Sequence, residues 1–265
     1  MTPVHQLTAA QKAAVRFILM DIDDTLTRDG KLSAAAYASL WDLHGAGFRV
    51  IPVTGRPAGW CDLIAREWPV DGVIGENGAL AFWEERPEGG RPILRQEFHP
   101  HAIKNNSPTL ARLWERARAE VPGLRVAKDQ FSRMFDLALD FAEEEPALSL
   151  ADAERVRALA VEAGLFARVS SIHVNVWAGD YDKLSMAERF LRRRFGWTGG
   201  ADDGQVVFVG DSPNDEPMFA RFPLSCAVAN IHRYRGLISR YPAFVAEKEC
   251  GEGFAEIAAL FCGKA

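Results

Sequence analysis

Short runs of apolar residues, which alternate with amphipathic stretches, constrain the fold of this 265-residue chain more than any other feature. Each run has the length of one β-strand and is apolar on consecutive residues, so both faces of the strand would be buried. Strands of that kind are typical of a parallel sheet that is covered by helices on both sides. The predicted strands cover Val15–Met20, Phe48–Val53, Val70–Ile74, Val206–Val209, Cys226–Ala229 and Phe244–Ala246. The predicted helices cover Ser33–His44, Ala58–Trp68, Lys183–Phe195, Asn214–Arg221 and Gly253–Phe261. We therefore expect a doubly wound α/β fold.

The middle of the chain has a different pattern. Two short strands flank the turn-rich segment RPEGG (86–90) and predict a hairpin. After it, the sequence predicts a helix at 109–120, strands at 124–127 and 134–141, a helix at 151–164, and strands at 166–169 and 172–177. That order is typical of a compact α+β unit. We expect it to form an inserted domain at residues 86–178, between the two parts of a core domain at 1–85 and 179–265.

The charge balance and the cysteines narrow the class of protein. Asp and Glu (36) outnumber Lys and Arg (31), and the net charge of −5 is wrong for a general nucleic-acid binder. No stretch approaches the roughly 18 apolar residues of a membrane span, and the N-terminal segment lacks the pattern of a signal peptide. The four cysteines lie far apart and form neither a CxxC pair nor a zinc-ligand spacing. We expect a cytoplasmic protein with free thiols rather than disulfides.

Carboxylates are concentrated directly after two of the predicted strands. Asp21, Asp23 and Asp24 follow the first strand, and Asp211 and Asp215 follow Val206–Val209. Two full charges ~5 Å apart repel by about 3 kcal/mol at an effective dielectric of ~20, so such crowding calls for a cation or for protonated acids. The first segment alone is also explained as a turn or a helix start, where Asp and Thr are common. Ligands of open α/β sheets bind beyond the carboxyl ends of the strands, and two acidic strand ends at one edge predict a Mg²⁺ site.

Two further segments point to an anion such as phosphate. Thr54, Gly55, Arg56 and Pro57 follow the strand Phe48–Val53, and a hydroxyl beside the N–H groups of a helix start can bind phosphate. Lys183 begins a predicted helix, where the helix dipole disfavours a cation unless an anion lies close by. Each feature alone also has a structural explanation, Thr54 as an ordinary helix cap and Lys183 as a solvated surface charge.

Taken together and in order, these motifs resemble those of the haloacid dehalogenase superfamily of phosphohydrolases. The motifs are DIDDTLT (21–27), VTGRP (53–57), Lys183 and GDSPND (210–215). In addition, GENGA (75–79) and the insert between the second and third motifs resemble its Cof-type branch, subfamily IIB, which includes many sugar-phosphate phosphatases. The resemblance implies a Rossmann-like parallel-sheet core with an inserted α+β cap domain.

The resemblance also implies a catalytic pair and a metal site. Asp21 matches the nucleophile that forms an aspartyl-phosphate, and Asp23 matches the general acid/base that protonates the leaving alcohol and then activates water. The side chains of Asp21 and Asp211, with the backbone carbonyl of Asp23, match the ligands of Mg²⁺.

Phosphate binding is implied for a second group of residues. Thr54 and Lys183 match the groups that neutralise the phosphate oxygens, and Asn214 and Asp215 match outer positions that orient Lys183 or metal-bound water. Asp24 stands where glycine is frequent in this branch. We expect its side chain to point away from the phosphate and only its backbone N–H to be offered.

Other residues are candidates for contact with the rest of the substrate. Arg56 and Asn77 lie near the motifs, although a surface ion pair explains Arg56 equally well and a left-handed turn explains Asn77. Alternation along Ile172–Trp177 places His173, Asn175 and Trp177 on one face, where they could bind a polyhydroxylated leaving group, with Trp177 against a sugar ring. A structural role is the alternative for His173.

The expected activity is Mg²⁺-dependent hydrolysis of a small soluble phosphate monoester, with a sugar phosphate as the leading class. A sugar phosphomutase of the same superfamily is the first alternative. A non-catalytic phosphate- or metal-binding module is the second, although such a module needs no pairing of Asp21 with Asp23.

Overall fold

Strands and helices alternate along most of the chain in the computed structural model, which describes residues 1–263. The strands are β1 (Thr2–Pro3), β2 (Phe17–Met20), β3 (Thr27–Arg28), β4 (Lys31–Leu32), β5 (Arg49–Pro52), β6 (Val73–Gly75), β7 (Leu80–Glu85), β8 (Ile93–Phe98), β9 (Arg125–Val126), β10 (Asp136–Asp140), β11 (Phe166–Val169), β12 (His173–Trp177), β13 (Val206–Gly210), β14 (Leu224–Ala227) and β15 (Phe244–Val245). The helices are α1 (Ala9–Ala14), α2 (Ala34–Gly45), α3 (Ala58–Glu67), α4 (Pro108–Glu120), α5 (Leu150–Glu162), α6 (Lys183–Phe195), α7 (Glu216–Arg221) and α8 (Cys250–Cys262).

A six-stranded sheet forms the centre of the molecule. Its strand order is β1-β15-β14-β13-β2-β5, and every neighbouring pair is parallel. In the register of β2 and β13, Met20 lies opposite Val209. The carboxyl ends of these two central strands therefore lie side by side, and the acidic segments that follow them begin at the same edge.

Consecutive residues of a central strand are buried against different helices, as the apolar runs predict. Ile18 and Met20 belong to an apolar cluster with residues of α2 and α8, whereas Phe17 and Leu19 belong to another cluster with residues of α6 and α7. Helices thus cover both faces of the sheet, and the doubly wound α/β fold is confirmed. Ser33 caps α2, because its Oγ accepts a hydrogen bond from the N–H of Ala36.

The segment at residues 70–75 differs from its prediction. The strand begins at Val73, and it pairs antiparallel with β7 rather than as a full member of the parallel sheet. An isolated parallel bridge between Val53 and Ile74 connects it to the end of β5. The hairpin of β7 and β8 completes this three-stranded sheet, as the turn-rich segment between them predicts.

A second sheet, with the order β11-β12-β10-β9, is antiparallel throughout. Helices α4 and α5 bury their apolar residues against one of its faces, where Val174 and Val176 of β12 also lie. The other face carries the polar residues of β12 and is turned toward the central sheet. The division into a core at 1–85 and 179–265 and an inserted domain at 86–178 stays a prediction; β8 follows its first boundary but pairs with β7, which precedes it.

Three features were not predicted from the sequence. The short strand β1 extends the central sheet through β15, helix α1 follows it, and β3 and β4 form a small hairpin just after the first acidic motif. Within residues 1–263, none of the helices combines the length and apolar character that crossing a bilayer demands. Cys61, Cys226 and Cys250 are buried thiols outside any disulfide.

Candidate active site

Three buried carboxylates meet at the carboxyl ends of β2 and β13. Asp21 and Asp211 follow these strands, and Asp215 follows in the next turn of chain. Each of the three offers a carboxylate oxygen, and these oxygens all lie within 4.8 Å of one another. The N–H of Asp21 donates to the carbonyl of Val209 (2.9 Å), which fixes the first acid against the neighbouring strand. The sequence therefore predicted the convergence of these acids correctly.

Lys183 lies between two of these carboxylates. Its Nζ is 2.6 Å from Asp21 Oδ2 and 2.8 Å from Asp215 Oδ1, and the residue is only 3% exposed. The explanation as a solvated surface charge is therefore wrong. Burial alone would lower the pKa of Lys183, but Asp21 and Asp215 outweigh it and raise the pKa above its ordinary value. The lysine stays charged, and Asp215 orients it toward Asp21.

Asp211 forms no ion pair with Lys183, in contrast to Asp21 and Asp215. Its Oδ1 accepts a hydrogen bond from Thr25 Oγ1 (3.0 Å) and its Oδ2 accepts one from Asn230 Nδ2 (3.2 Å), both neutral donors. Burial, together with Asp215 and Asp21, raises the pKa of Asp211 well above its ordinary range. Burial also raises the pKa of Asp21 to about 7, against the opposing effect of Lys183. One lysine among three buried acids leaves a net negative charge, and this donor set of hard oxygens fits a divalent cation such as Mg²⁺.

Asp23 lines the same pocket as Asp21 and is held by Arg56. Arg56 Nε lies 3.0 Å from both carboxylate oxygens of Asp23, and its Nη2 lies 2.7 Å from Oδ1. The guanidinium is buried, contacts Glu143 through Nη1 (3.2 Å) and lies over the ring of Trp60. Arg56 therefore forms an ion pair, but a buried one at the site rather than the surface pair that was the alternative.

Thr54 and Asn77 lie beside this pair, on the loops after β5 and β6. Thr54 is fully buried and its Oγ1 accepts the N–H of Arg56 (3.0 Å), so it does not cap α3; that helix begins at Ala58, whose N–H donates to Glu76. Asn77 has the left-handed conformation that its alternative predicts, with φ of 54°. Its Nδ2 is nevertheless buried and has no hydrogen-bond partner within residues 1–263. A buried amide donor without a partner is available to a ligand.

The backbone N–H and carbonyl of Asp24 both have hydrogen-bond partners in the protein, whereas the N–H was predicted to be available to phosphate. Its φ is 54°, the left-handed conformation for which glycine is favoured. Its N–H donates to Thr27 Oγ1 (3.2 Å), and its carbonyl accepts a hydrogen bond from Asn230 Nδ2 (3.0 Å). A bound phosphate would have to compete with the Thr27 hydroxyl for this N–H. Burial raises the pKa of the Asp24 carboxyl group, and Ser171 from the β11–β12 turn of the second sheet opposes that rise.

The β12 residues are arranged largely as the alternation predicts. His173 and Asn175 line the pocket with Asp21 and Asp23, together with Asn214, whose Oδ1 accepts a hydrogen bond from Ser212. His173 Nε2 is 2.8 Å from Glu143 Oε2, and Asn175 Nδ2 donates to Asp136 Oδ2 (2.7 Å). Among the described residues, each side chain thus has one polar atom with a hydrogen-bond partner and one without, His173 Nδ1 and Asn175 Oδ1.

Two residues of this segment depart from the prediction. Trp177 is 1% exposed, donates its Nε1–H to the carbonyl of Tyr181 (3.2 Å) and stacks on the Tyr181 ring. It packs between the two sheets and does not present a face to a sugar, because the chain after β12 folds back over it. Ile172 precedes β12 and lines the pocket instead of packing among the apolar residues of the second sheet.

Sequence reasoning missed three polar residues that support the site. Asn230 joins Asp211, the Asp24 carbonyl and the N–H of Cys250; it follows β14, and the strand-end rule that found Asp211 could have found it. Glu76 is fully buried and accepts four backbone N–H groups, one from Ala58 and three from residues 134–136. Burial, with Asp136 nearby, raises the pKa of Glu76 to about 7 although these donors oppose the rise. Glu143 lies in an acidic run that is typical of a protein surface, so the neighbouring sequence gives no indication that it belongs to the site.

Comparison with known proteins finds a family model that matches part of the chain, and solved structures with a similar fold. Residues 18–111 match the family model of haloacid dehalogenase-like hydrolases. No curated protein matches the chain.

Among solved structures, protein 0175 of Thermoplasma acidophilum is similar with 21% identity and a TM-score of 0.68, over 93% of this chain and 98% of that one. The subclass IIB sugar phosphatase BT4131 is similar with 15% identity and a TM-score of 0.61, over 95% and 100%. The sucrose-phosphatase of a Synechocystis species, solved with sucrose and phosphate, is similar with 16% identity and a TM-score of 0.58, over 92% and 97%. At these identities the likeness establishes the fold.

Proposed function

We propose that the chain is a haloacid dehalogenase-like hydrolase, which the family model matched by residues 18–111 supports, and that it hydrolyses phosphate monoesters of small soluble molecules through an aspartyl-phosphate on Asp21. The observation that carries the proposal is the position of Lys183, whose Nζ lies between Asp21 and Asp215 at 2.6 and 2.8 Å while Asp211 lies beside them. Their convergence at one edge of the sheet supports the proposal that a phosphoryl group is received and neutralised there.

Two hydrogen bonds fix the orientation of the Asp21 carboxylate, which is what attack by a nucleophile requires. Its Oδ1 accepts the N–H of Ile22 (2.7 Å) and its Oδ2 accepts Lys183, so the carboxylate cannot rotate freely. Attack of a carboxylate oxygen on phosphorus forms the aspartyl-phosphate and breaks the bond to the leaving alcohol oxygen. The nucleophile must be ionised for this step, and Lys183 is the group of this chain that favours its ionised form.

Asp23 would act as the general acid in the first step and as the general base in the second. It lines the pocket beside Asp21, and Arg56 holds both of its oxygens. In the first step Asp23 gives its proton to the leaving oxygen, and in the second it takes a proton from the water that attacks the aspartyl-phosphate. Arg56 keeps the carboxyl group aimed at the pocket through both steps.

The side chains of Asp21 and Asp211 and the backbone carbonyl of Asp23 would hold Mg²⁺. Mg²⁺ supplies positive charge that offsets the phosphate oxygens during transfer. Lys183, the Thr54 hydroxyl and the unpartnered Nδ2 of Asn77 would bind the same oxygens from the protein side. The Asp24 N–H joins them only if it leaves Thr27 Oγ1.

The leaving group would lie between the two sheets. His173 Nδ1 and Asn175 Oδ1 are unengaged polar atoms on the face of β12 that lines the pocket, and they suit the hydroxyls of a sugar phosphate. The predicted inserted domain, residues 86–178, would exclude bulk water from the reaction. A cytoplasmic location belongs to the same proposal.

The test is release of inorganic phosphate from phenyl phosphate and from a panel of phosphorylated sugars, with and without Mg²⁺. We expect Mg²⁺-dependent release, and we expect Asp21→Asn to abolish it while near-ultraviolet circular dichroism stays unchanged. Asp62→Asn, at an exposed ion pair with Arg66 on α3, is the matched control. Product analysis that found the phosphate moved to another hydroxyl of the same sugar would indicate a mutase. Inactivity on every ester would favour the non-catalytic module.

A further inference from the structure

A groove of about 540 Å³ opens beside the candidate active site. One wall comes from α5 and β11, and the other comes from the loops that follow β13 and β14. Ser170 and Asn214 line both this groove and the pocket that holds Asp21 and Asp23, so the two spaces adjoin. The volume falls in the range of roughly 300–1,000 Å³ that is typical of small-molecule sites.

Much of the groove is apolar. Leu150, Val169, Pro213, Pro217 and Leu237 line it, and Leu150 and Leu237 are exposed in the absence of a ligand. Such walls suit the carbon skeleton of an organic molecule.

The acids of the groove are already engaged by the protein. Glu154 Oε2 pairs with Arg157 Nε at 2.7 Å. Glu216 Oε1 accepts the backbone N–H groups of Ser239 (3.1 Å) and Arg240 (2.9 Å). Arg157 therefore offsets the charge of Glu154, whereas Glu216 keeps its negative charge and is held by the backbone at residues 239–240.

Arg168 differs from Arg157, the other arginine that lines the groove, which pairs with Glu154. Its Nη1 donates one hydrogen bond, to the carbonyl of Ala167 (3.3 Å), and no carboxylate within residues 1–263 forms a salt bridge with its guanidinium. A half-buried guanidinium has five N–H donors to satisfy, and its fork matches the two oxygens of a carboxylate or a phosphate. The guanidinium of Arg168 is therefore without an ion-pair partner among the described residues, and it is available to an anion in the groove.

The position of Arg168 connects the groove to the phosphate side of the site. Arg168 lies opposite Asn175 in the register of β11 and β12, on the same face of the sheet. It also lines a small enclosed space with Lys183, Asn77 and Asn214. A molecule with its phosphate at Lys183 and its carbon skeleton in the groove would pass directly beside Arg168.

We propose that Arg168 binds a second anionic group, carried by the leaving group, and so selects phosphate esters of hydroxy acids, sugar acids or other alcohols that bear their own carboxylate or phosphate. This inference rests on the proposed function. It narrows the substrate class, because the phosphate ester of an uncharged sugar offers no second anion to the guanidinium of Arg168. The anion contributes charge-assisted hydrogen bonds in a partly desolvated site, and losing them lowers affinity by about tenfold to a hundredfold.

The experiment compares matched esters. A series of carboxyalkyl phosphates of increasing length, the n-alkyl phosphates of equal length, and alkanediol bisphosphates are assayed for phosphate release with Mg²⁺. We expect at least one anionic ester to exceed its neutral counterpart by about tenfold or more in kcat/KM, and Arg168→Gln to remove that preference. The double change Glu154→Gln with Arg157→Gln, which removes the ion pair of the same groove without leaving an unpaired charge, should retain it. The better of the carboxylate and bisphosphate series identifies the anion.

A binding measurement separates this inference from the proposed function. In an Asp21→Asn background, calorimetric titration reports the Kd of each ester without turnover. The ratio of Kd between neutral and anionic esters should fall about tenfold or more when Arg168→Gln is added. Equal ratios with and without Arg168→Gln, or an equal loss in the double variant Glu154→Gln with Arg157→Gln, would overturn the role of Arg168 even if hydrolysis is found. If no ester releases phosphate but the ratio still falls, the anion site stands and the proposed function fails.

Discussion

Arg56 joins Glu143 to Asp23 across the two sheets. Its Nη1 lies 3.2 Å from Glu143 Oε1, and its Nε and Nη2 hold the carboxylate of Asp23 at 2.7–3.0 Å. Glu143 follows β10 of the four-stranded sheet and also contacts His173 Nε2 at 2.8 Å, whereas Asp23 follows β2 of the central sheet. One buried guanidinium therefore fixes the candidate proton donor relative to the residues that would meet the leaving group.

Glu143→Gln should lower the free energy of unfolding by about 1–2 kcal/mol at neutral pH. The hydrogen bond from His173 first, then the charges of His173 and Arg56, lower the pKa of Glu143 to about 2 from its ordinary 4.5, against the effect of burial. Because the folded-state pKa is the lower one, this stabilisation is fully present above about pH 5 and is lost as the pH falls toward 2. Urea unfolding at a series of pH values measures the difference, which should shrink below about pH 4.5. Glu144→Gln, at an exposed pair with Lys128, is the control. A difference that did not change with pH would contradict this account.

Glu76→Gln should destabilise the fold by about 2–4 kcal/mol. Each oxygen of Glu76 accepts two backbone N–H groups, and the amide nitrogen of Gln would face two of these donors with nothing to accept them. The affected N–H groups belong to the start of α3 and to residues 134–136, so we also expect a looser contact between the sheets. Guanidinium unfolding measures the stability. Glu67→Gln on the exposed side of α3 should leave the midpoint unchanged, and an equal midpoint for both variants would refute the role of Glu76.

The parts of this structure that the sequence predicts are those that local pattern determines. The doubly wound core follows from apolar runs such as Phe48–Val53, and the convergence of Asp21 with Asp211 follows from the rule that parallel strands end at one edge. Asn230 obeys the same rule after β14 and was missed only because a lone asparagine is not a recognisable motif.

Long-range pairing limits what the sequence can tell. Nothing near Glu143 indicates that its carboxylate meets an arginine 87 positions earlier in the chain. Trp177 lies on the predicted polar face of β12, but the fold of residues 178–181 over it is a tertiary feature that alternation does not describe. Likewise, the pairing of Val73–Gly75 with β7 depends on the hairpin that follows rather than on its own apolar residues.

Mg²⁺ should stabilise the folded protein, and the effect should depend on Asp211. A ligand that binds only the folded state at a hundred times its Kd adds about 2.7 kcal/mol to the free energy of unfolding. We expect thermal unfolding to show a rise in Tm with added MgCl₂ and little rise in Asp211→Asn, which removes one of the three buried carboxylates. The exposed Asp29→Asn is the control. Equal responses to Mg²⁺ in all three proteins would place the cation elsewhere.

Lys183→Met should impair both stability and turnover. It leaves Asp21 and Asp215 buried without their shared cation, and an uncompensated buried charge of this kind costs about 3–5 kcal/mol. The same change removes the group that orients the nucleophile and neutralises the phosphate, so kcat should fall by about a hundredfold to a thousandfold. Chemical unfolding without Mg²⁺ and phosphate release with it measure the two effects separately. Lys128→Met removes a lysine that is 82% exposed, and it should change neither. If Lys183→Met unfolded at the wild-type denaturant concentration and kept most of its kcat, the lysine would not be the counter-ion of Asp21, and the proposed nucleophile would lose its main structural support.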